Sequence, residues 1–330
     1  EAHPGLSPDD EFADFGTWDK ANIASNKVKK PDMLPREYAR PALKRGLKYQ
    51  QELGSNPFKF GMIGASDSHT ALATTRDDNY FGQFALNEPR ADRWEHYVIQ
   101  SVSGDDSLST FASEEVASGL AAVWASENTR EALFDAMERK EVYSTTGPRM
   151  TVRFFGGRDY TGQDLHSPDM ARIGYRKGVP MGGDLASGGK VAPVFMIAAT
   201  RDPDGANLDR IQVVKGWLDK AGNLQERVYN VAMSDGREAD GKGRVKPLES
   251  TVDPEKATYS NDSGAAELRV LWQDPDFDSA LRAVYYVRVL EIPTPRWTAY
   301  DQAFFGVDIP DHIPKEVQNR AYTSPIWYTP

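Results

Sequence analysis

Asp67 and His69 are the residues of this chain whose types and spacing best suit chemistry. They stand two positions apart in Gly61-Met-Ile-Gly-Ala-Ser-Asp-Ser-His-Thr70, directly after the apolar run Phe60–Ile63. That run reads as a short buried strand. On an extended backbone residues i and i+2 point to one face, so a carboxylate and an imidazole would leave the strand end together. An oxygen donor beside a nitrogen donor suits Zn, Mn or Fe. A metal held there would bring the pKa of a bound water down to about 7 and polarise a phosphoryl or carbonyl oxygen. Asp67 and His69 are therefore the candidate catalytic and metal-ligating pair. Ser66 and, on the polar loop that follows, Arg76 are candidates for contacting substrate. The competing reading makes Asp67 a turn cap and His69 its hydrogen-bond partner.

Other motifs are less pointed. Arg201-Asp-Pro-Asp-Gly-Ala-Asn-Leu-Asp209 offers oxygens at short spacing, as a cation loop would, but lacks the closing Glu of a twelve-residue calcium loop. Asp-Gly and Pro-Asp are equally hairpin chemistry, and a hairpin joining Val194–Ala199 to Ile211–Leu218 is the expectation here. His96, His166 and His312 have no ligand-like neighbours. The chain has no cysteine, which excludes disulfides and thiolate chemistry. No glycine-rich nucleotide loop and no Gly-x-Ser-x-Gly elbow is present.

The elements that must position these residues follow from periodicity. Ser7-Pro-Asp-Asp-Glu-Phe12 has the look of a capped helix start. Residues 32–53 space their apolar positions as a helix, with Pro41 as a kink or second start. Asn128–Lys140 is a capped helix with Leu133, Phe134 and Met137 as its apolar face. From about residue 150 the pattern changes to strands: Met150–Phe155, Val194–Ala199, Ile211–Leu218, Glu226–Val231, Leu268–Leu271 and Ala283–Glu291. Lys220-Ala-Gly-Asn223 reads as a hairpin turn. The aromatic tail Tyr322–Pro330 is expected to pack back on the body. Two units result, 1–150 of α/β character and 151–330 as an antiparallel, sandwich-like β module. The charge balance, 39 basic against 49 acidic residues, argues against a nucleic-acid partner. No apolar run approaches the ~18 residues of a membrane span.

Several segments together resemble an uncharacterised bacterial family, the domain of unknown function 3604, over essentially the whole chain. They are Glu-Ala-His-Pro-Gly-Leu-Ser at the start, Gly-Ala-Ser-Asp-Ser-His, Lys-Glu-Val-Tyr-Ser-Thr-Thr-Gly-Pro-Arg, Gly-Val-Pro-Met-Gly-Gly-Asp-Leu, Leu-Glu-Ile-Pro-Thr-Pro-Arg-Trp and Thr-Ser-Pro-Ile-Trp-Tyr. That family is similar to the PHP (polymerase and histidinol phosphatase) superfamily of metal-dependent hydrolases. The resemblance implies a distorted β/α barrel with one or more divalent ions, Zn, Mn or Fe, at its mouth. It implies metal ligands at Asp67, His69 and His3, with Glu1 as a further candidate, and an anion contact at Arg149. It implies a periplasmic or secreted protein hydrolysing small-molecule phosphoesters. The superfamily's opening His-x-His strand has no counterpart, so residues 1–150 are expected to be the C-terminal half of the barrel. The missing half would come from an N-terminal segment or from a second copy in a homo-oligomer. The alternative is a non-catalytic module that recognises a glycan or a protein.

Overall fold

The near-continuous apolar run Ala283–Glu291 lies at the centre of the fold. In the computed structural model, which describes residues 1–330, this segment is a strand with every residue buried. Its odd positions, Tyr285, Val287 and Val289, face one apolar cluster. Val284 and Tyr286 face another on the opposite side. A strand buried on both faces must be covered on both, and the rest of the chain provides the covers.

In chain order the first elements are a short 3₁₀ turn, Leu34–Arg36, and α1 (Ala39–Leu53), which ends on left-handed Gly54. Pro41 sits in the first turn of α1, where its missing N–H costs no helical hydrogen bond, so one kinked helix over 32–53 becomes a turn and a straight helix. Then come β1 (Tyr97–Ile99), β2 (Thr110–Phe111), β3 (Leu120–Val123), α2 (Arg130–Glu138), β4 (Val142–Thr145) and β5 (Thr151–Gly157). Thr129 caps α2. Its expected apolar face is not used: Phe134 and Met137 are exposed, and Ala136 is the buried residue. The short helices α3 (Gly162–Leu165) and α4 (Met170–Lys177) precede β6 (Gly178–Pro180), β7 (Asp184–Leu185), β8 (Val194–Thr200), β9 (Leu208–Leu218), β10 (Leu224–Met233), β11 (Glu267–Gln273) and β12 (Ala283–Glu291). The chain closes with β13 (Thr294–Pro295), α5 (Trp297–Phe305), β14 (Glu316–Val317), β15 (Arg320–Thr323) and β16 (Ile326–Tyr328).

Two sheets form a sandwich. The larger runs β10-β9-β12-β15-β4-β3, with β16 on β12 and β7 on β16; the smaller runs β11-β8-β5-β6. Phe154, Phe195 and Ile197 of the smaller sheet meet Val213, Tyr285 and Val287 of the larger in one core of 20 buried residues. Leu43 and Leu47 of α1 cover the outer face of the larger sheet, against Val214 and Val284. Leu165 and Met170 of α3 and α4 cover the outer face of the smaller, against Phe155 and Met196. The aromatic tail does pack back, with Trp327 and Tyr328 almost fully buried. No helix is long and apolar enough to cross a membrane.

The sandwich fits the expectation for the β-rich part, but the β/α half-barrel does not exist. Every strand pairing is antiparallel except β7 with β16, and neither sheet closes on itself. The larger sheet takes β3 and β4 from before residue 150 and its other strands from after it. Phe60–Ile63 forms no strand. It runs beside β4, where Met62 N donates to Ser324 Oγ at 3.0 Å in place of a ladder. Ser7–Phe12 forms turns and no helix, because the Asp10 side chain is drawn into a buried ion cluster. The 201–207 segment is a crossover and not a hairpin: β8 pairs with β5 and β11, whereas β9 pairs with β10 and β12. The 219–223 hairpin forms as expected, its turn held by Asp219 Oδ1 accepting from the backbone of Ala221 and Asn223.

Candidate functional site

The Gly61–Thr70 segment forms one wall of a cavity of about 390 Å³. Gly64 lets the chain lie against the sheet there: a Cβ would fall 2.7 Å from the Leu120 carbonyl oxygen and 2.8 Å from that of Thr145. Gly119 N donates to Ala65 O, and Ser118 Oγ to Ser66 O, tying the segment to the chain that enters β3.

Asp67 then takes a left-handed φ of 48°. That turn breaks the i, i+2 geometry on which the metal pair depends, since only an extended backbone sends alternate side chains the same way. Ser66 and Asp67 line the cavity, and His69 does not. The His69 Nδ1 lies 2.9 Å from the Asp67 carbonyl oxygen, and its ring packs 4.5 Å from Phe84. The Asp67 carboxylate accepts a hydrogen bond from Gln83 Nε2, whose own backbone oxygen receives His69 N at 2.8 Å.

The other expected ligands lie elsewhere. His3 accepts from Gly5 N through Nδ1 and stands 3.5 Å from Asp19 through Nε2. Asp19 lines the cavity, but His3 does not. Glu1 is committed to a buried ion cluster with Arg40, Arg288 and Tyr286. Burial opposes its ionisation, and the two guanidiniums outweigh that, keeping the carboxyl below its usual range. Arg76 lines a second, smaller cavity, where it pairs with Asp78; Arg149 stands beside that cavity, its N donating to Asp202 and its guanidinium meeting Asp204.

No three His, Asp or Glu side chains converge to hold a metal ion. Asp67, His69, His3 and Glu1 therefore do not fit a metal centre as they are arranged. What the fold gathers around Asp67 is a set of carboxyl groups: Asp19, Glu114 and Glu115 line the same cavity. Lys20, the one lysine in its walls, is already paired with Glu114.

Glu115 is the unexpected member. Burial pushes its carboxyl up to about 7, the Tyr80 hydroxyl at 3.3 Å pulls it back, and the Asp67 charge raises it further. Its backbone is fixed by α5, since the Glu115 carbonyl oxygen accepts from Arg296 Nη2 and from Trp297 Nε1 at 3.0 Å. Arg93 completes this support. It stacks on the Trp297 ring at 4.5 Å and pairs with the buried Asp301. In the sequence Glu114-Glu115 is an ordinary acidic pair. Its only distinction is a partner about 180 residues further along the chain, which no local pattern shows.

The family model described as Protein of unknown function (DUF3604) matches residues 1–330, and the chain belongs to that family. No curated protein and no solved structure matches it.

Proposed function

We propose that this member of the DUF3604 family is a hydrolase, that the cavity beside Asp67 is its active site, and that two carboxyl groups do the chemistry. The observation that carries this reading is the pairing of Glu115, raised to about 7, with the exposed Asp67 on one cavity. Two carboxyl groups in unlike surroundings divide the work of acid and base. Asp67 takes a proton from water as the water oxygen attacks the substrate carbonyl. Glu115 gives its proton to the leaving oxygen as the carbon–oxygen bond breaks. Tyr80, Arg296 and Trp297 are positioning residues that hold Glu115.

The charge of the walls selects among substrates. Asp19, Asp67 and Glu114 repel a phosphoester unless a divalent cation accompanies it. An uncharged polar ester meets no such barrier, and the reading favours it. Ser66 and Thr145 line the cavity, and their hydroxyls, which accept from backbone N–H groups, keep a proton to donate to such a substrate.

The test is a panel of alkyl esters and phosphoesters, each assayed with chelator and with added Zn or Mn. Poor alkoxide leaving groups are needed, since a good leaving group makes the acid unnecessary. Hydrolysis of an uncharged ester should fall as pH rises through about 7. Glu115→Gln should lose about 10²–10⁴-fold in kcat, as expected for a general acid. Full activity in Glu115→Gln, or no turnover of any substrate under either condition, sinks the proposal. Turnover of phosphoesters alone, only with metal, would replace it with the metal-dependent phosphoesterase reading.

A further inference from the structure

A second cavity, of about 80 Å³, lies between the Thr75–Asp78 loop, the Asp202–Ala206 turn and the end of β12. Five carboxyl groups line it against one basic side chain, Arg76. Four of the five have partners. Asp77 accepts from Trp297 N at 3.0 Å and from Asn319 Nδ2 at 3.2 Å. Asp78 holds Arg76, and Asp204 meets the Arg149 guanidinium at 3.2 Å. Asp202 accepts from the backbone N–H groups of Arg149 and Asp204 at 2.7 and 3.0 Å.

Glu291 has none. It is 1% exposed, and its Oε1 is buried without a hydrogen-bond partner. That oxygen faces the turn, where a Cβ on Gly205 would stand 3.5 Å from it. Burial and the nearby charges of Asp202 and Asp77 push its carboxyl well above the usual range, and Arg201 only partly offsets them. A buried acceptor left open is rare in folded proteins and calls for a donor.

The surroundings specify the donor. The wall charge is negative, so a cationic donor is favoured. The volume is well below the ~300 Å³ of the smallest ligand pockets, so the cavity takes a head group and not a whole molecule. No three carboxylates converge as metal ligands, and the oxygens of Asp77 and Asp202 are occupied by N–H groups. One open acceptor therefore suits a hydrogen-bond donor better than a coordinated ion. Tyr259 and Tyr300, both half-buried, line the space and add aromatic surface of the kind that suits a cation. An ammonium group has the size, the charge and three donors.

We propose that this cavity binds the primary ammonium group of a small amine, with Glu291 as its acceptor and Tyr259 and Tyr300 as its walls. The site is independent of the hydrolytic cavity. Calorimetric titration of the full chain with 1,4-diaminobutane tests it. Single-site binding is expected, weakened about tenfold or more in Glu291→Gln, as for loss of a charged hydrogen bond. Tetramethylammonium, which has the charge but no N–H, should not bind. That comparison uses wild-type protein, so it stands even if Glu291→Gln fails to fold. No binding of the diamine at millimolar concentration, undiminished binding in Glu291→Gln, or equal binding of tetramethylammonium overturns the proposal. So does displacement of the diamine by equimolar calcium, which would make the site a metal site.

Discussion

Residues 1–119 and residues 120–330 are held together by different forces. In the second region all 20 residues of the central apolar cluster lie between Tyr143 and Tyr328, and long antiparallel ladders run through it. The first region has α1, the short β1–β2 pair and a series of 3₁₀ turns. It leaves Ile23, Leu86 and Val102 70% or more exposed. It is fastened to the rest of the chain by a small apolar contact, Leu43, Leu47 and Met62 against Val214, Val284 and Trp327, and by buried charge: Arg40 to Glu226, Asp10 to Arg288, and Arg93 to Asp301. The cavity beside Asp67 lies where the two regions meet. Ser144, Thr145 and Tyr322 of the sheet form one side, and Asp19, Asp67 and Glu115 of the irregular region form the other. The proposed chemistry thus sits on the part of the chain held in good part by buried charge, and the ladder-bound part serves as its fixed wall. This contrast makes the position of the reacting groups sensitive to ionisation in a way that an apolar core is not.

The contrast can be broken most severely at Arg40. Its guanidinium is buried among Glu1, Asp10 and Glu226 and also donates to Tyr286. Arg40→Ala leaves carboxylates buried without their partner. It should cost about 3–5 kcal/mol in urea unfolding, or prevent folding. A loss below 1 kcal/mol would show that buried charge does not hold the first region. In the sandwich, Ile197→Val removes one methyl group from the core. That should cost about 0.5–1.5 kcal/mol, with little dependence on pH or salt.

The smallest effect is in pH, and its sign separates two carboxyl groups. Asp10 is held well below its ordinary value: burial opposes ionisation, and Arg288 and then Arg40 outweigh it. Its folded-state pKa is depressed, so its contribution is present above about 4 and lost as pH falls below that. Glu115 is raised from 4.5 to about 7. Its contribution runs the other way, present below 4.5 and lost as pH rises through about 7. Glu115→Gln should therefore gain stability relative to wild type between pH 5 and 8, seen as a rising difference in urea midpoint. A difference that stays flat over that range would mean that Glu115 is not desolvated in solution.

The sandwich was largely legible in the sequence because its signals are local. The apolar run Ala283–Glu291 marked a strand with its observed bounds, and the Lys220–Asn223 turn announced its hairpin. The failures share one cause, dependence on a distant partner. The Phe60–Ile63 run has a strand's composition but meets Ser324 and not a ladder. Asp202-Pro-Asp-Gly205 has hairpin chemistry, yet the same chemistry serves a crossover once β8 and β9 pair in different sheets. Asp67 and Ser66 beside it both line the cavity. The role assigned to the pair with His69 assumed an extended backbone, which the left-handed φ at Asp67 removes. Glu115 was out of reach, because its environment is made by Tyr80, Arg296 and Trp297.

The place of β15 has a consequence in time. This four-residue strand lies between β12 and β4, and so joins the β3–β4 pair to the rest of the larger sheet. Arg320 N donates to Thr146 Oγ1 across 174 positions of chain. A pairing so distant forms slowly, because a long loop must close before any contact rewards it. β3 and β4, paired across the α2 connection, can form early on their own, but they have no place in the sheet until β15 arrives. The cavity wall of Ser144, Thr145 and Tyr322 is therefore a late product of folding, complete only when one of the shortest strands has found its seat.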